Sequence, residues 1–223
     1  MKKIKLLTVC IFLFSLYGAC KPANEKNKEE ESITQKELTP VQTKTENGLK
    51  KAYFASGCFW CVEAIYESVK GVEEAISGYS GGKTKNPTYE NHADHAEAVA
   101  VIYNPEIINF SELVDVYFAS QNITQINGQG PDIGRSYRSI IFYQNEKEKQ
   151  IIENKIAALN KSLNSGTVAA QVMPFQKFWQ AEAYHQNYEQ NNPDNPYIQN
   201  VSIPRINRFK NKMPELLKSK TDH

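Results

Sequence analysis

The stretch Gly57-Cys58-Phe59-Trp60-Cys61-Val62-Glu63 joins a strand-like segment to a helix-like one. The apolar run 52–55 before it is typical of a buried strand, and apolar residues recur at helical spacing over 62–70 after it. We therefore predict Cys58 at the start of a helix, where unpaired N–H groups and the helix dipole should make a thiol easier to ionise. Cys61 follows one helical turn later, close enough to form a disulfide. The pattern indicates a nucleophilic cysteine beside a second cysteine, although a redox or metal-binding pair of unknown purpose, or two buried cysteines, fits the same residues.

Strands and helices alternate irregularly around this stretch. Further strands are predicted over residues 72–79, 95–103, 138–143 and 168–173. Further helices are predicted over 111–118 with Ser111 as N-cap, over 145–163 with Asn145 as N-cap, and over 205–217. Glycine-rich loops occupy 80–89 and 128–137. This order favours an α+β fold in which helices pack on one mixed sheet, and 223 residues suffice for a single well-buried catalytic domain.

The N-terminus has the composition of an export signal. Three lysines precede an apolar run, residues 6–16, that is too short to span a bilayer. Gly18-Ala19-Cys20 resembles a bacterial lipobox, which would make Cys20 the lipidated first residue of the mature chain. Tyr17 departs from the small aliphatic residue expected in a lipobox, so cleavage by an ordinary signal peptidase stays open. We expect a signal peptide over 1–19, a disordered polar tether over 20–48 and the catalytic domain over 49–223.

Charge and cysteine content narrow the functional classes. The formal net charge is +1, from 26 basic and 25 acidic residues, and becomes 23 − 25 = −2 without the three lysines of the signal. No basic stripe points to nucleic acid. Of the four cysteines, Cys10 leaves with the signal and Cys20 is the lipidation candidate. Cys58 and Cys61 then remain as the only thiols, which favours a working pair over a structural disulfide framework.

Five motifs, in this order, resemble the A-type peptide-methionine (S)-sulfoxide reductases. They are Gly57-Cys58-Phe59-Trp60, Gly78-Tyr79-Ser80-Gly81-Gly82, Asn86-Pro87-Thr88-Tyr89-Glu90, His95-Ala96-Glu97, and Gln129-Gly130-Pro131-Asp132-Ile133-Gly134 with Tyr137-Arg138-Ser139. The resemblance runs from about residue 50 to residue 206, and segments 181–186 and 196–198 extend it. It implies a ferredoxin-like two-layer α/β plait with elaborations. It also implies thiol-dependent reduction of methionine (S)-sulfoxide in proteins, with use of the free amino acid left open.

The resemblance implies a catalytic role for five residues. Cys58 attacks the sulfoxide sulfur, and Glu97 donates a proton to the sulfoxide oxygen. Tyr89 and Tyr137 offer their hydroxyls to that oxygen. Cys58 becomes a sulfenic acid, Cys61 condenses with it to a disulfide, and an external dithiol reduces this disulfide. Burial among aromatic rings would raise the pKa of Glu97 and keep it able to donate near neutral pH.

Three further residues are implied in substrate binding. Phe59 and Trp60 hold the methyl group, and Asp132 shapes the site from the second glycine-rich loop. A sulfoxide is polar at S–O but carries a plain methyl group, so hydrogen-bond donors opposite aromatic walls suit it. Without the resemblance, we would interpret Glu97 as a surface carboxylate and Asp132 as structural. Tyr89 and Tyr137 would be interpreted as packing residues.

The sequence departs from the family pattern at three places. The segment between Tyr89 and His95 is shorter than in many relatives and lacks their Cys-Ser-Gly. The C-terminal tail has no recycling cysteine. Position 61, often glycine, is cysteine here, which puts the recycling step within the first helical turn.

Two rival interpretations use the same cysteine pair. A thioredoxin-like disulfide oxidoreductase also has CxxC at a helix start, but it would leave the other motifs unexplained. A non-catalytic metal-binding or surface-interaction lipoprotein is the second rival. His92, Asp94 and His95 lie near each other in sequence, but their spacing is unlike a zinc motif, so we predict neither a metal nor a cofactor. Tyr184 and His185 are expected to support the site rather than act in it.

The remaining expectations concern partners and location. We expect oxidised methionine in proteins as substrate, a thioredoxin-like protein as reductant, and a monomer. The export signal places the protein on the periplasmic side of the cell envelope, attached to a membrane through the N-terminal lipid.

Overall fold

The computed structural model describes residues 38–92 and 94–219, in which a compact unit begins at Thr39. Its strands are β1 (Lys50–Ala55), β2 (Val72–Ser80), β3 (Ala96–Tyr103), β4 (Gly128–Gln129), β5 (Asp132–Ile133), β6 (Ile140–Tyr143), β7 (Gln171–Pro174) and β8 (Phe178–Gln180). Its α-helices are α1 (Phe59–Glu67), α2 (Phe110–Ala119), α3 (Glu146–Ser162), α4 (Tyr188–Asn191) and α5 (Ile203–Lys212). Short 3₁₀ turns occupy Arg135–Tyr137, Ala183–His185 and Pro214–Leu216, and a π-helical turn occupies Ile198–Ser202. The predicted signal peptide and Cys20 lie outside the described residues.

Six strands form one mixed sheet in the order β7-β6-β1-β3-β2-β8. Every neighbouring pair is antiparallel except β6 and β7, which are parallel. The second glycine-rich loop adds a small hairpin made of β4 and β5. The predicted α+β fold with a mixed sheet is therefore confirmed.

Alternation along β3 divides the apolar core between the two faces of the sheet. Val99 and Val101 belong to the cluster that includes apolar side chains of α1, α2 and α5. Ala98 and Ala100 belong to a second cluster on the opposite face, together with Phe175. Because β1 and β3 are inner strands with both faces covered, their sequences read as nearly continuous apolar runs.

Several element boundaries differ from the expectation. The N-cap of α2 is Asn109, not Ser111, because its side chain accepts from Glu112 N at 3.0 Å while Glu112 Oε2 accepts from Asn109 N at 2.9 Å. This is a capping box. Strand β8 was not expected, since its three residues lie within a segment that reads only as aromatic-rich. The C-terminal helix starts at Ile203 and ends at Lys212, shortly before Pro214, which cannot continue an α-helical hydrogen-bond pattern.

The folded unit also begins before the predicted start at Leu49. Val41 N donates to Phe175 O at 2.8 Å, and Thr43 donates to Gln144 Oε1 from both its backbone N and its Oγ1, at 2.8 and 2.6 Å. Hydrogen bonds rather than apolar side chains attach this segment, which is why its polar composition resembled a tether. None of the helices in the part of the chain that the structure describes has the length and apolar character needed to cross a bilayer.

Candidate active site

Cys58 lies in the turn between β1 and α1 and is the N-cap residue of α1. Gly57 makes this turn possible, because its φ of +84° is one that residues with a side chain rarely adopt. The turn is fixed from behind by Arg205, which donates to Ser56 O and Ser120 O, both at 2.9 Å. Cys58 is 5% exposed and Cys61 is fully buried, and both are free thiols.

The two thiols have opposite pKa shifts. Burial raises the pKa of Cys58 well above its usual value, and its interactions with Cys61 and Glu97 raise it further. A hydrogen bond from Cys58 lowers the pKa of Cys61 to about 6, although burial opposes this shift, and the Arg205 guanidinium lowers it further. The resting pair therefore holds its negative charge on Cys61.

The expectation that the helix start makes Cys58 easier to ionise is wrong for this resting state. Burial outweighs the helix dipole at this position. The first amide of α1 is also engaged elsewhere, since Phe59 N donates to Glu97 Oε2 at 3.0 Å.

Glu97 reaches the start of α1 from β3, where it pairs with Tyr79 of β2. It is 2% exposed. Burial raises its pKa to about 8, against the opposing effect of the hydrogen bond from Phe59 N, and the nearby Asp132 carboxylate contributes to the rise. The carboxyl group is therefore largely protonated at neutral pH, as expected from the sequence.

Tyr89 and Tyr137 approach this carboxyl group from the two glycine-rich loops. Burial raises the pKa of both phenols, and Glu97 raises it further in each case. Neither hydroxyl hydrogen-bonds to a described residue. Tyr89 is held in place by its backbone N, which donates to Glu182 Oε1 at 2.9 Å, and Glu182 also accepts from Tyr79 Oη at 3.0 Å.

Aromatic rings line the other side of the site. Trp60 stacks on Tyr188 with ring centroids 3.7 Å apart, and its Nε1 donates to His185 Nδ1 at 3.1 Å. The His185 ring lies 4.9 Å from the Phe59 ring and 4.5 Å from the Tyr89 ring. Because Trp60 Nε1 can only donate, the proton of His185 is on Nε2.

The structure brings Asp132 to the cysteine pair through Tyr197. Tyr197 Oη donates to Asp132 Oδ2 at 2.6 Å and lies 3.9 Å from Cys61 Sγ. Four residues of the site were not predicted from the sequence: Tyr197, Arg205, Glu182 and Tyr188. Tyr197 and Glu182 lie within segments 196–198 and 181–186, which extended the family resemblance, and this was the only indication that they belong to the site. No quoted motif or segment indicated Arg205 or Tyr188.

The histidines near the first glycine-rich loop have structural partners. His95 Nδ1 accepts from Gly82 N at 3.2 Å, and its Nε2 lies 2.8 Å from Thr84 O. Asp94 accepts from Lys83 N at 2.7 Å. Among residues 38–92 and 94–219, no three His, Cys, Asp or Glu side chains are grouped as a metal site requires.

Comparisons with known proteins agree with this geometry. The model of the peptide methionine sulfoxide reductase family matches residues 50–217. The peptide methionine sulfoxide reductase MsrA of Pasteurella multocida is 42% identical over 173 residues, which cover 76% of this chain and 99% of that protein. The MsrA of Nitratiruptor sp. is 42% identical over 172 residues, covering 75% of this chain and 98% of that protein.

Solved structures give the same result. The reduced form of Mxr1 from Saccharomyces cerevisiae matches with a TM-score of 0.60 and 31% identity, covering 70% of this chain and 94% of that chain. Methionine sulfoxide reductase A of Corynebacterium diphtheriae matches with a TM-score of 0.60 and 29% identity, covering 66% of this chain and 77% of that chain. With its matched sequence, fold and cysteine turn, the chain belongs to the peptide methionine sulfoxide reductase family.

Proposed function

We propose that this chain reduces the S epimer of methionine sulfoxide in proteins, with Cys58 as nucleophile and Glu97 as proton donor. Thiol-dependent methionine sulfoxide reduction follows from its family, and the enzyme is a peptide-methionine (S)-S-oxide reductase. The observation that carries the residue roles is the Glu97 carboxyl group, which is buried beside Cys58 and has a pKa of about 8. A non-catalytic metal-binding lipoprotein would not need such an acid.

The first step is attack by Cys58 on the sulfoxide sulfur. The Cys61 thiolate takes the proton of the Cys58 thiol as the new sulfur–sulfur contact forms. Attack makes the sulfoxide oxygen basic, and Glu97 protonates it while Tyr89 and Tyr137 donate hydrogen bonds to it. The oxygen is transferred to Cys58 as a sulfenic acid, and methionine leaves with its methyl group against Phe59 and Trp60.

The second step recycles Cys58 within the same helical turn. Cys61 attacks the sulfenic acid, water leaves and a Cys58–Cys61 disulfide forms. Residues three apart on a regular helix have Cβ atoms about 5–6 Å apart, whereas a disulfide needs about 3.5–4.5 Å. The first turn of α1 must therefore change shape for the bond to close. A thioredoxin-like dithiol then reduces the disulfide.

The proposed setting is the cell envelope, with the protein acting as a lipid-anchored monomer on its periplasmic side. The lysines, apolar run and Gly18-Ala19-Cys20 of the N-terminus support export and lipidation at Cys20. Substrates would then be envelope proteins whose methionine side chains have been oxidised.

The stereochemistry tests the proposed reaction. A single pocket can bind the methyl group and the oxygen of a sulfoxide in only one arrangement, and separate enzymes reduce the two epimers. With dithiothreitol as reductant, a blocked methionine S-sulfoxide should be consumed and the R epimer left. Chiral chromatography measures the consumption of each epimer. Comparable consumption of the R epimer would contradict the assignment.

A further inference from the structure

A cavity of about 490 Å³ opens beside Cys61 and shares only Asp132 with the proposed substrate-binding residues. Cys61, Asp132 and Tyr197 are among its lining residues, whereas Phe59, Trp60, Tyr89, Glu97 and Tyr137 are not. Its volume is within the range of small-molecule sites. The Asp132–Tyr197 hydrogen bond therefore forms part of the cavity wall.

Helix α5 gives the cavity a positive charge. Arg205, Arg208 and Lys212 all line it, at positions that share one face of the helix, and Asp132 is the single carboxylate in the lining. Arg205 donates to backbone carbonyls, and so does Lys212, to Ala119 O at 3.2 Å. These hydrogen-bond partners are neutral, and the Cys61 thiolate that faces Arg205 in the resting enzyme is lost when the disulfide forms.

Arg208 is the most available of these cations. Its side chain is exposed and makes no hydrogen bond or ion pair with any described residue. A cleft lined by charges of one sign raises the local concentration and arrival rate of oppositely charged ligands. The cavity therefore selects for anions beside a reactive sulfur.

We propose that this cavity is the entrance for the reductant, and that it takes a thiol that also carries a carboxylate. The proposal rests on the proposed function, since it concerns the reduction of the Cys58–Cys61 disulfide. The carboxylate could belong to a small free thiol or to the surface beside the active cysteine of a protein donor. In both cases Arg208 and Lys212 bind the carboxylate while the thiolate reaches Cys61.

The reduction step is a pair of thiol–disulfide exchanges. The donor thiolate attacks Cys61 Sγ, the Cys58–Cys61 bond breaks, and Cys58 leaves as a thiolate and takes a proton. The second thiol of the donor then attacks the donor sulfur of the mixed disulfide and releases the Cys61 thiolate. The donor is oxidised by two electrons to its disulfide, and the enzyme returns to the dithiol.

This direction of attack fits the geometry of both cysteines. Cys61 is covered in the dithiol form, so the donor reaches it only when the first turn of α1 opens, a change of shape that disulfide closure also demands. The first exchange expels Cys58, which its high pKa makes the poorer leaving group. The second exchange releases the oxidised donor with Cys61 as leaving group, and a thiol of low pKa leaves faster. Attack on Cys58 would instead need the donor to enter the sulfoxide site.

The test uses two dithiols that differ only in charge, dihydrolipoate and its neutral amide dihydrolipoamide. The measured quantity is the ratio of their kcat/KM values in steady-state sulfoxide reduction. In Arg208→Glu this ratio should fall about tenfold, as expected for reversing one charge a few ångströms from a carboxylate. An unchanged ratio in Arg208→Glu would overturn the proposal.

Lys210→Glu is the matched control. Lys210 is exposed on the same helix, and its substitution makes the same change in net charge, but it lines a different groove together with Glu67 and Glu189. The ratio should keep its wild-type value in this variant. An equal fall would mean that overall charge, not the cavity, selects the donor.

A second readout needs no sulfoxide turnover. In a chain carrying Cys10→Ser, Cys20→Ser and Cys58→Ser, Cys61 is the only thiol left. Adding Arg208→Glu should slow its reaction with the dianionic disulfide DTNB about tenfold relative to neutral 4,4′-dithiodipyridine. Equal slowing of the reactions with both reagents would reject the anion-selective cavity. Failure of the proposed function would be seen separately, because the intact enzyme would then form no methionine.

A thioredoxin used as donor distinguishes the two sources of the carboxylate. A parallel fall in its kcat/KM in Arg208→Glu, with none in Lys210→Glu, would assign the cavity to protein donors as well. A fall confined to dihydrolipoate would assign it to small anionic thiols.

Discussion

At the scale of single residues, two groups of the site differ in protonation state near neutral pH: one is ionised and the other keeps its proton. Cys61, with a pKa of about 6, holds the negative charge of the cysteine pair, and Glu97, with a pKa of about 8, keeps its proton. Between these values the pair has lost one proton while the acid still carries its own. Both groups are therefore in the form that the first step requires.

The rate of methionine formation in a single turnover should accordingly be bell-shaped in pH. It should rise through about pH 6 as the cysteine pair loses a proton and fall through about pH 8 as Glu97 loses its own. Rapid-quench measurement of methionine across this range checks both limbs. Glu97→Gln should lose the alkaline limb, and Glu97→Ala should slow the step by roughly 10²–10⁴. A near wild-type rate in Glu97→Ala would remove Glu97 from the mechanism.

Removing the second thiol separates the two steps. Cys61→Ser should still yield one methionine per enzyme, with a sulfenic acid on Cys58 that dimedone traps. The step should be slower near neutral pH, because Cys58 loses the thiolate that takes its proton. Turnover with a thioredoxin-like donor should collapse, since no disulfide forms, and Cys58→Ser should be inactive. Wild-type turnover of Cys61→Ser with that donor would mean that the donor attacks the sulfenic acid directly.

The fold brings together the residues that motifs in the sequence pointed to, and their roles stay predictions. Cys58, Glu97, Tyr89 and Tyr137 were named from the sequence and lie together. Arg205 could not be named, because its contacts with Ser56 and Ser120 form only when distant parts of the chain meet in the fold. The pKa of Cys58 was also beyond the sequence, since it depends on how completely the side chain is buried.

At the scale of elements, periodicity predicted the long strands and helices well. β3 has a nearly continuous apolar run of eight residues, and α3 carries its own cap, Asn145, and a long helical repeat. β8 has three residues, too few to show a period. Residues 39–48 join the fold through hydrogen bonds, which leave no apolar pattern to read.

The turn between β1 and α1 allows a test of how tightly the nucleophile is held. A Cβ added at Gly57 would lie 2.6 Å from Gln129 Cβ, in addition to its positive φ of +84°. Gly57→Ala should therefore lower the free energy of unfolding by about 1–3 kcal/mol or more and reduce kcat by displacing Cys58. Denaturant unfolding and steady-state kinetics measure the two effects.

Gly48 offers the control for this substitution. Its φ is +79°, but a Cβ there would have nothing within 4 Å. Gly48→Ala should cost only the backbone strain, about 1–2 kcal/mol, and leave kcat unchanged. Equal losses of stability and activity in the two variants would show that the contact with Gln129 does not hold the turn.

At the scale of the whole molecule, the compact unit that begins at Thr39 follows an N-terminal segment proposed to anchor it. If Cys20 carries a lipid, the mature protein should partition with membranes after cell fractionation. Cys20→Ser should block both processing and attachment. A wild-type protein found entirely in the soluble fraction, beginning at Cys20 or later, would exclude the lipid.

The contact between Trp60 and His185 makes the enzyme its own optical reporter. The chain has two tryptophans. Trp60 lies on the helical turn that must change shape when the disulfide closes, and its indole is hydrogen-bonded to the His185 imidazole. The Trp179 ring instead has the Lys177 ammonium 3.6 Å from its centroid. Thiols, disulfides and imidazoles quench excited indole, so the fluorescence of Trp60 should differ between the reduced and oxidised enzyme. That difference should persist in Trp179→Phe and disappear in Trp60→Phe, so each redox step could be followed in real time without a label.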